Sequence, residues 1–166
     1  MIEISEPYLL FRPGFRHRES TKGIITHHIG PLPTSVDIQD IGIEMVHDWH
    51  RAQGWLGAGY HLLIKADERA TVELGRPLWA EGSHCSGRNG DYLGVCVVGN
   101  FSAHNPLPQQ IDRLAEVYHY LCKKYPAITP ENIKGHRDFK ATECPGDNLY
   151  SWLPCVIKKA VLLNGC

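Results

Sequence analysis

Leu93-Gly94-Val95-Cys96-Val97-Val98 is the stretch on which the fold turns. It is a continuous apolar run, and a strand that is apolar without alternation is buried on both faces, as at the centre of a sheet covered by helices. Helical periodicity flanks it. Upstream, Ile38, Ile41, Met45 and Trp49, with Val46 beside them, recur at helical spacing. Thr34 or Ser35 can cap that helix, Asp37 stands in its first turn and Gly54 stops it. Downstream, Pro108 opens a second helix with the stripe Ile111, Leu114, Ala115, Tyr118, Leu121, Cys122 and Tyr125, and Pro126 ends it. Further strands are read at 23–27, 60–65 and 70–74, the last two joined through the turn Ala66-Asp67-Glu68-Arg69. Residues 129–132 read as a capped single turn, Ile133–Gly135 as a short strand, and 149–163 as a last helical stretch interrupted or restarted at Pro154. Strands alternating with helices predict an α/β protein with a mixed central sheet and helices packed on its faces.

The length of 166 residues suits one domain. Residues 1–22, rich in polar residues, Pro and charge and carrying Phe11 and Phe15, read as an N-terminal arm packed on a catalytic domain at 23–166. The formal net charge is −1 and no basic stripe occurs, which argues against a nucleic-acid partner. No apolar run approaches the ~20 residues of a membrane span, so membrane insertion is not expected. Met1-Ile2-Glu3-Ile4-Ser5-Glu6-Pro7 lacks the basic and apolar regions of a secretory signal, which predicts a cytoplasmic chain where it is made. Disulfides are then not expected. The six cysteines include no C-x-x-C pair, against a zinc ribbon or a thioredoxin-type motif. Cys96 and Cys122 fall in apolar surroundings and read as core thiols, while the eleven-residue spacing of Cys144, Cys155 and Cys166, which would let the last two share a helix face, reads as chance.

His27, His136 and Cys144 form a candidate metal set. Two imidazoles and one thiolate leave one position of a tetrahedral Zn²⁺ open, the pattern of catalytic rather than structural zinc. Zn²⁺ with two neutral imidazoles and one thiolate carries +1, which favours hydrolysis. Alternation along a strand points His27 and His28 in opposite directions. Gly135 lets the backbone approach the site closely, and Pro145-Gly146 makes a rigid turn after Cys144. Asp138 reads either as a partner orienting an imidazole or as a loop cap, and Glu143 as a possible general base beside the cysteine.

The blocks Ile24-Ile25-Thr26-His27-His28, Gly59-Tyr60-His61-Leu62-Leu63-Ile64, Glu73-Leu74-Gly75-Arg76-Pro77, Gly82-Ser83-His84, Leu93-Gly94-Val95-Cys96-Val97-Val98-Gly99-Asn100-Phe101 and Gly135-His136-Arg137-Asp138 through Thr142-Glu143-Cys144-Pro145-Gly146 occur in this order. Together they closely resemble the type 2 N-acetylmuramoyl-L-alanine amidases, a family that includes phage endolysins, bacterial wall and recycling amidases and animal peptidoglycan recognition proteins. The resemblance spans about residues 23–153. It implies a Zn²⁺ cofactor on His27, His136 and Cys144, with His27 preferred to His28. It implies catalytic roles for Tyr60 and Thr142, substrate contacts from His84, Asn89 and Arg76, and peptidoglycan or a muropeptide as partner. Thr142 stands where some members carry Lys, which shifts oxyanion stabilisation toward Tyr60 or Arg137. Recycling members with a catalytic Glu in the central strand differ from this chain, which has Cys96 there. The expectation is a monomeric endolysin that reaches the wall through lysis, a holin or another export route. The alternatives are a recycling amidase for soluble muropeptides, an antibacterial effector and a non-catalytic peptidoglycan-binding module.

Overall fold

The computed structural model describes residues 2–163. Six strands form one sheet: β1 (Ile4–Ser5), β2 (Gly23–His28), β3 (Leu62–Ile64), β4 (Val72–Leu74), β5 (Tyr92–Val97) and β6 (Ile133–Gly135), in the order β1-β4-β3-β5-β2-β6. The β3–β4 hairpin is antiparallel and every other neighbouring pair is parallel. This is the mixed sheet the alternation predicts.

Strand β5 lies between β2 and β3, and every residue in it is buried. Leu93, Val95 and Val97 join Ile24, Leu62 and Ile64 against the helices α2 (Pro108–Lys124) and α4 (Leu153–Leu162). Cys96 and Val98 join Leu63 on the opposite face, where Ile43 and Val46 of the helix α1 (Ile43–Ala52) cover them. Burial on both faces is why the strand carries no polar alternation. The stripe read for α2 is buried from Ile111 to Leu121, and Cys122 and Tyr125 pack at its edge. The Tyr118 hydroxyl meets Thr26 Oγ1, a hydrogen bond that ties α2 to β2.

Several boundaries differ from expectation. The first helix begins at Ile43, not near residue 35. Asp37 caps a separate 3-10 turn, Ile38–Asp40, by accepting from Gln39 N–H. Gly42 is extended and offers no side chain, so the cap of α1 comes from another element: Glu73 of β4 accepts Ile43 N–H at 2.6 Å. The last helical stretch is two helices, α3 (Asp147–Tyr150) and α4, and Pro154 lies in the first turn of α4, where a missing N–H costs nothing. The arm contributes β1, which pairs with β4, and His17 bridges to Ala80. Cys166 lies outside the described residues. No helix among the described residues is long and apolar enough to cross a membrane.

Buried histidines brace the backbone. Gly94 N–H donates to His61 Nδ1 at 2.9 Å while His61 Nε2 faces Ala80 O at 3.0 Å. Gly59 N–H donates to His50 Nδ1 at 2.9 Å and Phe101 N–H to His28 Nδ1 at 3.2 Å. Each lone pair so used is lost on protonation. Burial, helped by Arg76 near His50 and Arg137 near His28, lowers both rings to about 4. In the unfolded chain they titrate near 6.5, so the unfolded state takes up protons first. Stability is therefore full above pH 6.5 and falls as the pH drops toward 4. The ceiling is about 1.4 kcal/mol per pH unit for each ring, and partial access of water keeps the slope below it. Urea unfolding of chelator-treated protein at pH 7, 6 and 5 measures this; a flat profile would contradict the bracing role.

Candidate metal centre

Parallel pairing of β2 with β6 aligns Thr26 with Gly135, so His27, next along β2, lies beside His136, which opens a 3-10 turn directly after β6. Their ring centroids lie 4.5 Å apart at the C-terminal end of the sheet, where open α/β sheets bind ligands. Cys144 reaches the same point from the following loop: its Sγ lies 3.7 Å from His27 Nδ1 and accepts His28 N–H at 3.4 Å. One ligand atom from each of His27, His136 and Cys144 lies within 4.8 Å of the others, and no other such group occurs among the described residues. Tetrahedral zinc with the usual Zn–N and Zn–S bonds separates N from S by ~3.6 Å, so the set fits that ion. His28 points to the other face of the strand, as alternation predicts.

The loop that carries Cys144 is held from several sides. Arg137 N–H donates to Cys144 O at 2.9 Å, and its guanidinium bonds Glu143 O and the Asp147 carboxylate. Asp138 accepts Gly135 N–H at 2.8 Å and the Tyr150 hydroxyl at 2.6 Å, so it closes the loop instead of orienting an imidazole. Gly146 has φ +86°, and a Cβ there would come within 2.3 Å of the Phe101 carbonyl carbon. Only glycine lets the chain turn so close to that segment. Thr142 Oγ1 accepts Cys144 N–H at 3.2 Å, which leaves its own proton available to a ligand.

These residues line a groove of about 500 Å³ that also presents Tyr60, Trp55 and Glu143. Tyr60 lies just before β3, its ring 5.1 Å from His27. Burial, with the thiols of Cys96 and Cys144 nearby, pushes Tyr60 well above the ordinary phenol range, so it stays protonated and can donate. Burial and then the neighbouring imidazoles hold His27 well below its ordinary value, and burial with Lys140 lowers His136. Burial pushes the Cys144 thiol up to about 11, against the pull of His28 N–H and Arg137. In the metal-free chain both imidazoles are thus neutral with lone pairs to give, and a metal must displace one thiol proton.

The three remaining site residues read from the sequence lie around the groove. His84 is behind His27, with Nδ1 at 3.0 Å from His27 Nε2 and Nε2 at 3.3 Å from Tyr92 O, so neither ring nitrogen is left for a substrate atom. Asn89 Oδ1 accepts the N–H groups of His84 and Cys85, both at 2.9 Å, and shapes the loop. Arg76 is buried and lines a side pocket of about 260 Å³ that shares Trp55 and Ser83 with the groove. Its Nε donates to Ala58 O and its Nη1 to Glu81 O, while Nη2 has no partner among the described residues. The sequence reading does not single out Trp55, whose ring lies 4.5 Å from that of the buried His50 at the groove edge.

A profile of the N-acetylmuramoyl-L-alanine amidase family matches residues 17–147. The chain belongs to this family. The amidase is 36% identical to the endolysin of Escherichia phage T7 over 147 residues, covering 85% of this chain and 91% of that one. It is 40% identical to the endolysin of Enterobacteria phage K11 over 119 residues, 69% of this chain and 76% of that one. Among solved structures, the N-acetylmuramoyl-L-alanine amidase LysC from Clostridium intestinale superposes with a TM-score of 0.82 at 29% identity, covering 95% of this chain and 99% of that one. Cys144→Ser in the amidase should abolish tight binding of one transition-metal ion per chain, because a hydroxyl is a poor ligand where a thiolate is needed. Cys122→Ser, on α2, should leave it unchanged. Metal content by elemental analysis reads both, and equal loss in the two variants would misplace the thiolate.

Proposed function

We propose that this amidase holds one zinc ion on His27, His136 and Cys144 and acts as an endolysin. Its target is the amide between the lactyl carbonyl of N-acetylmuramic acid and L-alanine in peptidoglycan. The convergence of two neutral imidazoles and a thiol at the groove floor, beside a protonated phenol, carries this reading. Zinc held there would polarise a carbonyl and acidify a water.

The chain's own residues do the rest. Tyr60 donates its phenolic proton to the oxygen that gains charge as the carbonyl becomes tetrahedral. Thr142, whose oxygen is occupied by Cys144 N–H, directs its free proton to the same side of the groove. Trp55 offers a flat apolar wall against which substrate can pack. Arg76 lines the side pocket, where its charge suits a stem-peptide carboxylate; Asn89 and His84 serve by fixing the loop between the two pockets. Among the described residues Glu143 is the one carboxylate lining the groove. Glycoside cleavage normally uses two placed carboxylates, so the lining favours an acyl bond over a glycosidic one.

Digestion of purified sacculi tests the bond. The products should be stem peptides with a new alanine amino terminus, and glycan strands should remain unshortened with no rise in reducing ends. New termini only on diamino acids or D-alanine would leave the metal chemistry standing and refute the choice of bond. Tyr60→Phe should retain zinc and lower kcat by up to roughly 10²–10³, less to the extent that the metal carries the oxyanion charge. Normal turnover by folded, zinc-loaded Tyr60→Phe would return Tyr60 to a packing role.

A further inference from the structure

His84 has both ring nitrogens engaged, and the two bonds determine each other's direction. Its Nε2 faces the Tyr92 carbonyl at 3.3 Å, and a carbonyl oxygen can only accept, so that nitrogen carries the proton. Its Nδ1 then holds a lone pair, and the atom 3.0 Å away, His27 Nε2, must be the donor. A neutral imidazole has one N–H, so His27 Nδ1 is left bare. That is the nitrogen 3.7 Å from Cys144 Sγ. One backbone carbonyl on β5 thus sets the tautomer of two rings in series.

Packing independently marks the position as built for a ring. Gly94 interrupts a strand that is buried throughout, where a side chain would ordinarily contribute to packing. A Cβ at Gly94 would fall 2.6 Å from the His84 ring, and one at Gly82 would fall 2.4 Å from it. The imidazole fills the space of two missing side chains. His61 secures this seat by accepting Gly94 N–H and facing Ala80 O, its ring 5.7 Å from that of His84.

We propose that His84 is a positioning residue for the metal centre: it fixes the tautomer and ring plane of His27, the task a carboxylate or carbonyl performs directly in most zinc–histidine sites. The proposal rests on the zinc reading above. It places the fixed point on the Tyr92 carbonyl, two hydrogen bonds away from the metal ligand. An uncharged partner also leaves the +1 charge of the loaded site undiminished, where a carboxylate behind His27 would reduce it.

Zinc affinity of the full chain, read by competition with a chelating dye, tests this. His84→Phe keeps a ring and removes both nitrogens; His84→Asn keeps an oxygen acceptor near the place of Nδ1. Removal of such a partner typically weakens binding by roughly 10- to 100-fold, and that loss is expected in His84→Phe. His84→Asn should recover part of it, and the metal-free melting temperatures should not track the affinities. Wild-type affinity in folded His84→Phe would overturn the role of His84 and leave the zinc site standing. Absence of zinc binding by the wild type would remove both. A second readout needs no variant. Nitrogen–proton correlation spectra of the metal-free chain at neutral pH should show His84 and His27 both protonated at Nε2. A proton on His27 Nδ1 would refute the relay.

Discussion

The register between β2 and β6 is the constraint on which the rest depends. Thr26 opposite Gly135 places His27 and His136 side by side at the strand ends. A slip of one residue would turn His27 to the face that His28 now occupies, toward Phe101. That register is held by burial on both sides: Ile24 faces the α2–α4 layer, and Ile25 faces Cys85, Tyr92 and Phe139. The same apolar pairs that stabilise the sheet therefore aim the two histidines. The third residue of the candidate metal set is fixed differently. Cys144 lies on a loop, and its position follows from Arg137, Asp138 and Gly146, residues that belong to the same motif but never face the groove floor.

Much of this was legible in the chain because the signals are local. A continuous apolar run is enough to place β5, and Pro108 with its stripe places α2. The three residues of the candidate metal set could be assembled from their motifs before their distances were known. What was not legible depends on partners far away in sequence. The start of α1 is decided by Glu73, thirty residues on, which caps an end that Gly42 cannot cap. Thr34 and Ser35 looked like caps because nothing in their neighbourhood reveals that competitor. Strand β1 was hidden for a related reason: two residues on a sheet edge carry too little pattern to stand out from an arm.

The histidines show a deeper limit. The chain has ten, and residue type alone does not separate a ligand from a brace. His61 and His84 sit in loop or strand contexts as polar as that of His27, yet one joins two backbone segments and the other backs a ligand. The glycines around them held the missing information. Gly94 is an expensive residue for the interior of a central strand, and its reason becomes visible only when the His84 ring is seen lying against it. A glycine that breaks a strong apolar pattern is thus a pointer to a bulky neighbour from elsewhere in the chain.

Burial gives the site its poise. Low polarity around the ligands disfavours every charged form: it keeps the imidazoles unprotonated, the Tyr60 phenol protonated and the Cys144 thiol up to about 11. Three of those consequences serve a Lewis-acid hydrolase without further arrangement, since two ligands and one proton donor are already in their working states. The fourth opposes it, because the thiol must lose its proton to bind. A dication held there would resolve that conflict, since its charge would stabilise the thiolate far more strongly than Arg137 or the His28 N–H can. The thiolate would in turn reduce the loaded site to a single positive charge, small enough to be held without a buried counter-ion and large enough to favour charge growing on a substrate oxygen. A carboxylate in place of either histidine would cancel that remaining charge. This explains, in physical terms, why the groove floor is built from imidazoles and one sulfur while its nearest carboxylate, Glu143, stays exposed at the groove wall.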